Sequence, residues 1–315
     1  MTARRPRFGS LQFYPKKRAA KIIPSVNWDN FNSLQTKEGS LLGFITYKVG
    51  MRTAIVKDTT PQSMTLNKKI AIPVTILETP KMKIFSVRFY KGSHALKDVV
   101  VSNDKELKRT VTVPKVLKAL DTEIPAGFDD IRVIVYSLPK ETGIKKTPDL
   151  IELAVSAKDK LAYIKSLIGK ELSLKDVFKF DLLDVRGLTK GKGLVGPIKR
   201  FGLSLKSHKS EKGVRRPGSL GPWHPARVTF RAPQAGQMGM FSRVQYNMKP
   251  IFISSIAEKD INPSEGFQHF GKIKSSYILI KGSISGPQKR AVLLAPAFRP
   301  TKKQAKTKLE FVELQ

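Results

Sequence analysis

The chain has no cysteine and only four histidines in 315 residues. Without thiols there can be no disulfide and no thiolate metal site. His94, His208, His224 and His269 are scattered, with no His-x3-His or His-Glu-x-x-His spacing, so no structural zinc and no cofactor are expected. No apolar run approaches the roughly 18 residues that a membrane span needs. The basic start is not followed by the apolar stretch of a secretory signal. These absences describe a soluble intracellular chain.

Acidic residues are the other scarcity. Against 58 Lys and Arg stand 25 Asp and Glu, a net charge of +33 and a pI near 10.3. Hydrophobic residues make up 40%, enough for a core, so whole-chain disorder is excluded. An excess of this size opposes compaction by self-repulsion, and a polyanion is its natural remedy because Lys and Arg release condensed counterions from phosphates. An anionic membrane would need an amphipathic helix or a lipid anchor, and the sequence offers neither.

The excess is segregated. Residues 98–184 hold 15 acids and 15 bases and are neutral. The first 28 residues carry seven cations and no acid, and residues 266–309 carry ten and no acid. Between Asp184 and Glu258 lie 14 cations and one acid, Glu211. Solvation of a charged face does not require such sorting. The 185–257 stretch is rich in Gly and Pro and poor in apolar residues. It is expected to need an anionic partner to become ordered.

Residues 40–58 read as two β-branched strands around a turn at Val49–Gly50–Met51, followed by strands at 69–78 and 82–90. Further strands are expected at 250–256, 275–284 and 289–298, the last two joined at Gly286–Pro287. This pattern indicates a mainly β chain with an antiparallel barrel or sandwich. The neutral block differs: Pro114–Asp121 and Asp159–Ile168 carry the helical apolar period, and 130–137 and 150–155 read as strands. It reads as an inserted α/β module facing solvent or protein. The expected division is a basic N-terminal extension (1–39), a first barrel part (40–91), the α/β insertion (92–178), a second barrel part (179–189 and 236–298), a basic arm (190–235) and a C-terminal tail (299–315).

Two glycine motifs invite a nucleotide reading. Gly191-x-Gly193-x-x-Gly196 matches a dinucleotide fingerprint, but Pro197 stands where a helix should open and no acid follows about 20 residues on. Gly266-x4-Gly271-Lys272 resembles a phosphate loop, but Ile273 takes the place of the magnesium-binding hydroxyl. Neither supports an active site. Trp223 stands out because Pro222 and Pro225 flank the Trp223–His224 pair, a composition for a stiff exposed tip. An aromatic so presented can stack on an unpaired base. Arg215, Arg216, Arg227, Arg231 and Arg243 offer forked donors for phosphates and bases. Lys190, Lys192, Lys199, Lys206, Lys209 and Lys212 supply general neutralisation. Nothing resembles a groove-reading DNA motif, so RNA is the expected partner.

The segments 184–193 (DVRGLTKGKG), 196–202 (GPIKRFG), 216–227 (RPGSLGPWHPAR) and 235–239 (AGQMG) resemble successive signatures of the large-subunit ribosomal protein L3 (uL3) family. Residues 4–11 (RRPRFGSL) and the insertion near 92–178 resemble its archaeal and eukaryotic branch. The resemblance implies a translation-protein-type antiparallel β-barrel with extensions buried in 23S-type rRNA, and an arm whose Trp223 tip runs toward the peptidyl-transferase centre. It implies rRNA contacts for Arg4, Arg5, Arg7, Arg200, His208 and His224 besides the residues above, and L14 and L24e as protein neighbours. It implies a structural role and no enzyme activity. Eukaryotic members carry a His about 12 residues before this Trp; here Glu211 stands there. A non-ribosomal RNA chaperone and a nucleotide-dependent RNA-modifying enzyme remain as alternatives.

Overall fold

The computed structural model describes residues 8–31, 39–178 and 180–315. Among them the strands are β1 (Ser40–Leu41), β2 (Phe44–Asp58), β3 (Lys69–Thr79), β4 (Met82–Lys91), β5 (His94–Val100), β6 (Asp130–Ser137), β7 (Leu150–Ser156) and β8 (Leu183–Leu188). There follow β9 (Gly193–Val195), β10 (Gly236–Met238), β11 (Ser242–Met248), β12 (Pro250–Ser255), β13 (Ser276–Lys281), β14 (Ala291–Pro296) and β15 (Leu309–Leu314). Four short helices interrupt them: α1 (Lys160–Leu167), α2 (Leu174–Val177), α3 (Pro197–Phe201) and α4 (Lys302–Lys306). The chain is mainly β with antiparallel sheets, as expected, and no helix is long and apolar enough to cross a membrane.

The chain divides into two compact units. One comprises the described residues of Met1–Ile22 with Leu188–Arg243, the other Ile23–Gly187 with Val244–Gln315. The larger unit is built on β2. This strand pairs with β3 along most of its length, with β14 through Phe44–Tyr47 and with β15 through Ala54–Asp58. The eight-stranded sheet runs β11-β8-β14-β2-β3-β13-β12, with β15 beside the second half of β2. It curls until Phe252 of β12 meets Phe311 of β15, ring centroids 4.9 Å apart. No hydrogen-bonded ladder closes the ring among the described residues.

Residues 40–58 do not form two strands around Gly50. β2 runs through it, and the β2–β3 register shifts between Lys48 and Gly50, so Val49 is the extra residue of a bulge. A bulge bends a strand without reversing it. Gly50 needs no left-handed backbone, which removes the case for a turn.

A second sheet, ordered β1-β7-β6-β4-β5, is covered by α1, whose N-cap Asp159 accepts the Ala162 N–H at 3.1 Å. Pro114–Asp121 forms no helix. Val116 is 80% exposed and only Leu120 is buried, so the apolar period has no surface to cover. So short a segment does not hold a helix without tertiary burial. The two sheets share one core, including Phe44 and Ile45 of β2, Val87 of β4, Val133 of β6 and Leu293 of β14. Trp28 is also buried in it and donates Nε1–H to the Glu152 carbonyl at 2.9 Å. Tyr47 ties β2 to the second sheet, its hydroxyl donating to Asp149 at 2.6 Å. Burial, first, and that carboxylate push the phenol well above its ordinary value.

Glu78 of β3 is fully buried and accepts from the Lys274 and Ser275 N–H groups and the Ser275 hydroxyl, at 2.9, 3.0 and 3.0 Å. All three bonds fall on one oxygen, and the other has no partner. Burial raises this carboxyl above the ordinary value of 4.5, against the opposing pull of those bonds. A proton is thus held more tightly in the folded state, so ionisation of Glu78 works against folding. Its protonated-form stability is complete below the unfolded pKa and is lost as pH rises through the folded one. Measured by urea midpoints, Glu78→Gln is expected to gain stability relative to wild type as pH rises above the ordinary carboxylate value of 4.5. A difference that stayed flat with pH would refute the assignment.

Candidate nucleic-acid interface

The smaller unit forms where glycine and a few backbone bonds let two distant segments cross. Thr189 N–H donates to the Phe241 carbonyl at 3.0 Å, Met240 N–H to Thr189 at 3.2 Å and Lys192 N–H to Met238 at 2.9 Å. The ladder continues as β9 paired with β10. At the crossing Gly239 has φ +76°, and a Cβ there would stand 2.0 Å from the Lys190 carbonyl oxygen. No side chain fits.

Pro197 does open a helix, contrary to the expectation from its sequence. Proline suits the first helical position because the N–H it lacks has no intrahelical partner there. α3 then ends at Gly202, which is left-handed at φ +63°. β9 and β10 pair antiparallel, not in a parallel crossover, so the dinucleotide reading still fails. The Gly266–Gly271 motif is a tight turn. Phe267 and Gly271 exchange backbone bonds of 2.8 and 2.9 Å, and Phe267 and Ile273 are buried. No helix follows it.

The basic stretch holds more structure than its composition suggests, because it borrows apolar residues from the N-terminal segment. The site of a Cβ on Gly9 lies 2.9 Å from Phe201, and that on Gly202 lies 2.8 Å from Phe8. Tyr14 packs edge-on against Phe230 at 5.2 Å, and Ala19 N–H donates to Met240 at 2.9 Å. Only the sparse aromatics, read together across some 200 positions, could have signalled this.

Arg200 holds the base of the arm. Its guanidinium donates to the carbonyls of Gln237 at 3.1 Å, Gln234 at 3.0 Å and Lys16 at 3.5 Å. A Cβ on Gly236 would lie 2.7 Å from it. This cation is partly buried and faces backbone, which sequence alone did not reveal. Lys206 is half-buried, and its N–H closes a loop onto Val214 at 3.1 Å. That loop carries His208, Lys209, Glu211 and Lys212 outward. Lys190, Lys192, Lys199, Arg215, Arg216, His224, Arg227, Arg231 and Arg243 are exposed. Trp223 is 87% exposed, as its proline flanks suggested. Arg4, Arg5 and Arg7 lie outside the described residues.

The ion pairs reveal the electrostatic plan. The salt bridges among the described residues join side chains within Asp29–Lys175, plus one between Lys175 and Glu258. In the second sheet Arg88 grips Asp98 at 2.5 Å and Glu152 at 2.9 Å, while Arg132 meets Asp29, Asp130 and Glu152. Hydrogen bonds from Lys118 and Lys97 hold the Glu123 carboxyl down to about 2. Among the described residues, by contrast, Lys190, Lys192, Lys199, Lys206, Lys209, Lys212, Arg215, Arg216 and Arg227 form no ion pair, and neither does Glu211. The ion pairs thus cluster in and around the neutral module. These arm cations have no acidic partner among the described residues, in a form suited to a string of phosphates.

Comparison with known proteins gives a consistent result. The sequence profile described as Ribosomal protein L3 matches residues 1–315. The chain is 40% identical to the large ribosomal subunit protein uL3 of Methanococcus vannielii, over 95% of this chain and 93% of that protein. It is 40% identical to the uL3 of Methanosphaera stadtmanae, over 95% and 93% of the two chains. With the uL3 of Archaeoglobus fulgidus the identity is 39%, over 96% and 94%.

Proposed function

The chain belongs to the ribosomal protein L3 family, and from that membership we propose that its basic arm and N-terminal segment thread large-subunit rRNA and neutralise phosphates that would otherwise repel one another. The protein is a structural constituent of the large ribosomal subunit and not an enzyme. One observation carries the reading of the arm: among the described residues Lys190, Lys192, Lys199, Lys209, Lys212, Arg215, Arg216 and Arg227 form no ion pair, while the ion pairs cluster in and around the neutral module. Retention of the protein on large subunits through a high-salt sucrose gradient tests it. A loosely binding RNA chaperone would be released.

The finer proposals follow the arm to its tip. Trp223, bare between Pro222 and Pro225, stacks on rRNA near the peptidyl-transferase centre and helps shape the approach of aminoacyl-tRNA. Binding by the arm supports subunit assembly. The RNA-contacting set comprises the exposed arm residues with Arg4, Arg5 and Arg7, while Arg200 positions the arm from within. The electrically neutral insertion faces solvent or protein, L14 and L24e being the proposed neighbours. Trp223→Ala is expected to leave subunit yield unchanged and to lower A-site tRNA binding several-fold, since a stacked base is worth about 1–3 kcal/mol. Unaltered tRNA binding together with unaltered sensitivity to peptidyl-transferase drugs would exclude this role.

A further inference from the structure

A cavity of about 380 Å³ lies between residues 12–20 and 241–243, away from Trp223 in sequence and lined by different side chains. Its volume falls in the range of small-ligand pockets, about 300–1,000 Å³. The lining combines two aromatic side chains of one segment, Phe13 and Tyr14, with the cations Lys17, Arg18 and Arg243 and the ring of Phe241. Phe13 is 68% exposed, an unusual state for a phenylalanine in a segment otherwise anchored by Ala19 and Tyr14. Arg243 lies over the Phe241 ring at 5.4 Å, and Lys16 over the Tyr14 ring at 4.9 Å, so flat apolar faces and positive charge already stand side by side.

Aromatic faces and four cations, Lys16, Lys17, Arg18 and Arg243, in one cleft match two parts of a nucleotide: base plane and phosphate.

Resting on the RNA-binding role proposed above, we infer that this cleft takes a single unpaired nucleotide of the RNA. The base lies against Phe13 and Tyr14, and Lys17, Arg18 and Arg243 hold the flanking phosphates. The cleft is thus a second stacking site, separate from the arm tip.

The probe is a single-stranded RNA hexamer carrying 2-aminopurine, whose fluorescence is quenched on stacking. It is mixed with the full-length chain bearing Trp223→Ala, which removes the exposed aromatic of the arm tip. Quenching is expected to persist in that background. It is expected to fall at least threefold on adding Phe13→Ala, with affinity dropping on the order of tenfold. A chain in which Phe13→Ala leaves both quench and affinity unchanged overturns the site. Gradient retention of the wild-type protein on large subunits is read in parallel. Retention with no Phe13 effect refutes the cleft alone, whereas release of the wild-type protein refutes the ribosomal reading itself.

Discussion

Replacing Lys206, Lys209, Lys212, Arg215, Arg216 and Arg227 together by Gln is expected to lower the affinity of the full chain for large-subunit rRNA by roughly a thousandfold at moderate salt. If each of the six neutralises one phosphate, the slope of log affinity against log salt falls by about four to five. The fold should not notice. Five of these side chains are exposed and one is half-buried, and none has an ion pair among the described residues. Surface changes of this kind cost about half a kcal/mol or less each. The control removes the same charge from the neutral module: Lys105, Lys108, Lys115, Lys146, Lys158 and Lys170, all exposed, become Gln. Placement of charge predicts a small effect there, whereas total charge alone predicts an equal one. Equal slopes in filter-binding assays of the two variants would reject the arm as the RNA-binding element.

Gly239→Ala is the second large effect. The added methyl meets the Lys190 carbonyl oxygen at 2.0 Å and the Gly191 Cα at 2.9 Å. Both are backbone atoms, so no rotamer relieves the contact. The φ of +76° adds strain for any L side chain, about 1–2 kcal/mol. Together the two penalties amount to about 3–4 kcal/mol, enough to open the Thr189–Phe241 and Lys192–Met238 crossing. The outcome to look for is faster hydrogen exchange and tryptic cleavage across Lys190–Arg231, with the thermal transition of the larger unit retained. Gly50→Ala is the comparison. Its Cβ meets nothing within 4 Å and its backbone is not left-handed, so little should change. Arms equally protected in wild type and Gly239→Ala would show that the crossing does not hold them.

Some of this was plain in the residues. The 130–137 strand came from its β-branched run, and α1 from its apolar period. Trp223 was recognisable as a tip because the prolines beside it leave no room for a core strand. What stayed hidden depends on partners far away in sequence. Gly50 looks like a turn until β3 is known to pair across it on both sides. Pro114–Asp121 has the period of a helix, and only the missing surface beneath Val116 and Leu117 reveals that it is none. Arg200 reads as one more phosphate-binding cation until three carbonyls surround it. Gly239 sits in a string of glycines, and its necessity appears only with the oxygen of Lys190 beside it. Phe13 and Tyr14, followed by Pro-Lys-Lys-Arg, did place aromatics beside charge in the sequence. Their cleft needed Phe241 and Arg243, more than 220 positions later.

That separation sets a timetable. Ala19 bonds Met240, Tyr14 packs on Phe230 and Phe8 fits against Gly202. During synthesis the first of each pair therefore waits for some 190 to 220 further residues to be joined. At about 5–20 residues per second, the wait is about 10–45 s. For that time an acid-free segment with seven cations hangs unpartnered beside a machine made largely of RNA. Its first encounter is with the translating ribosome and not with the particle it is meant to enter. Whatever shields those cations early decides whether the newborn chain remains free to assemble.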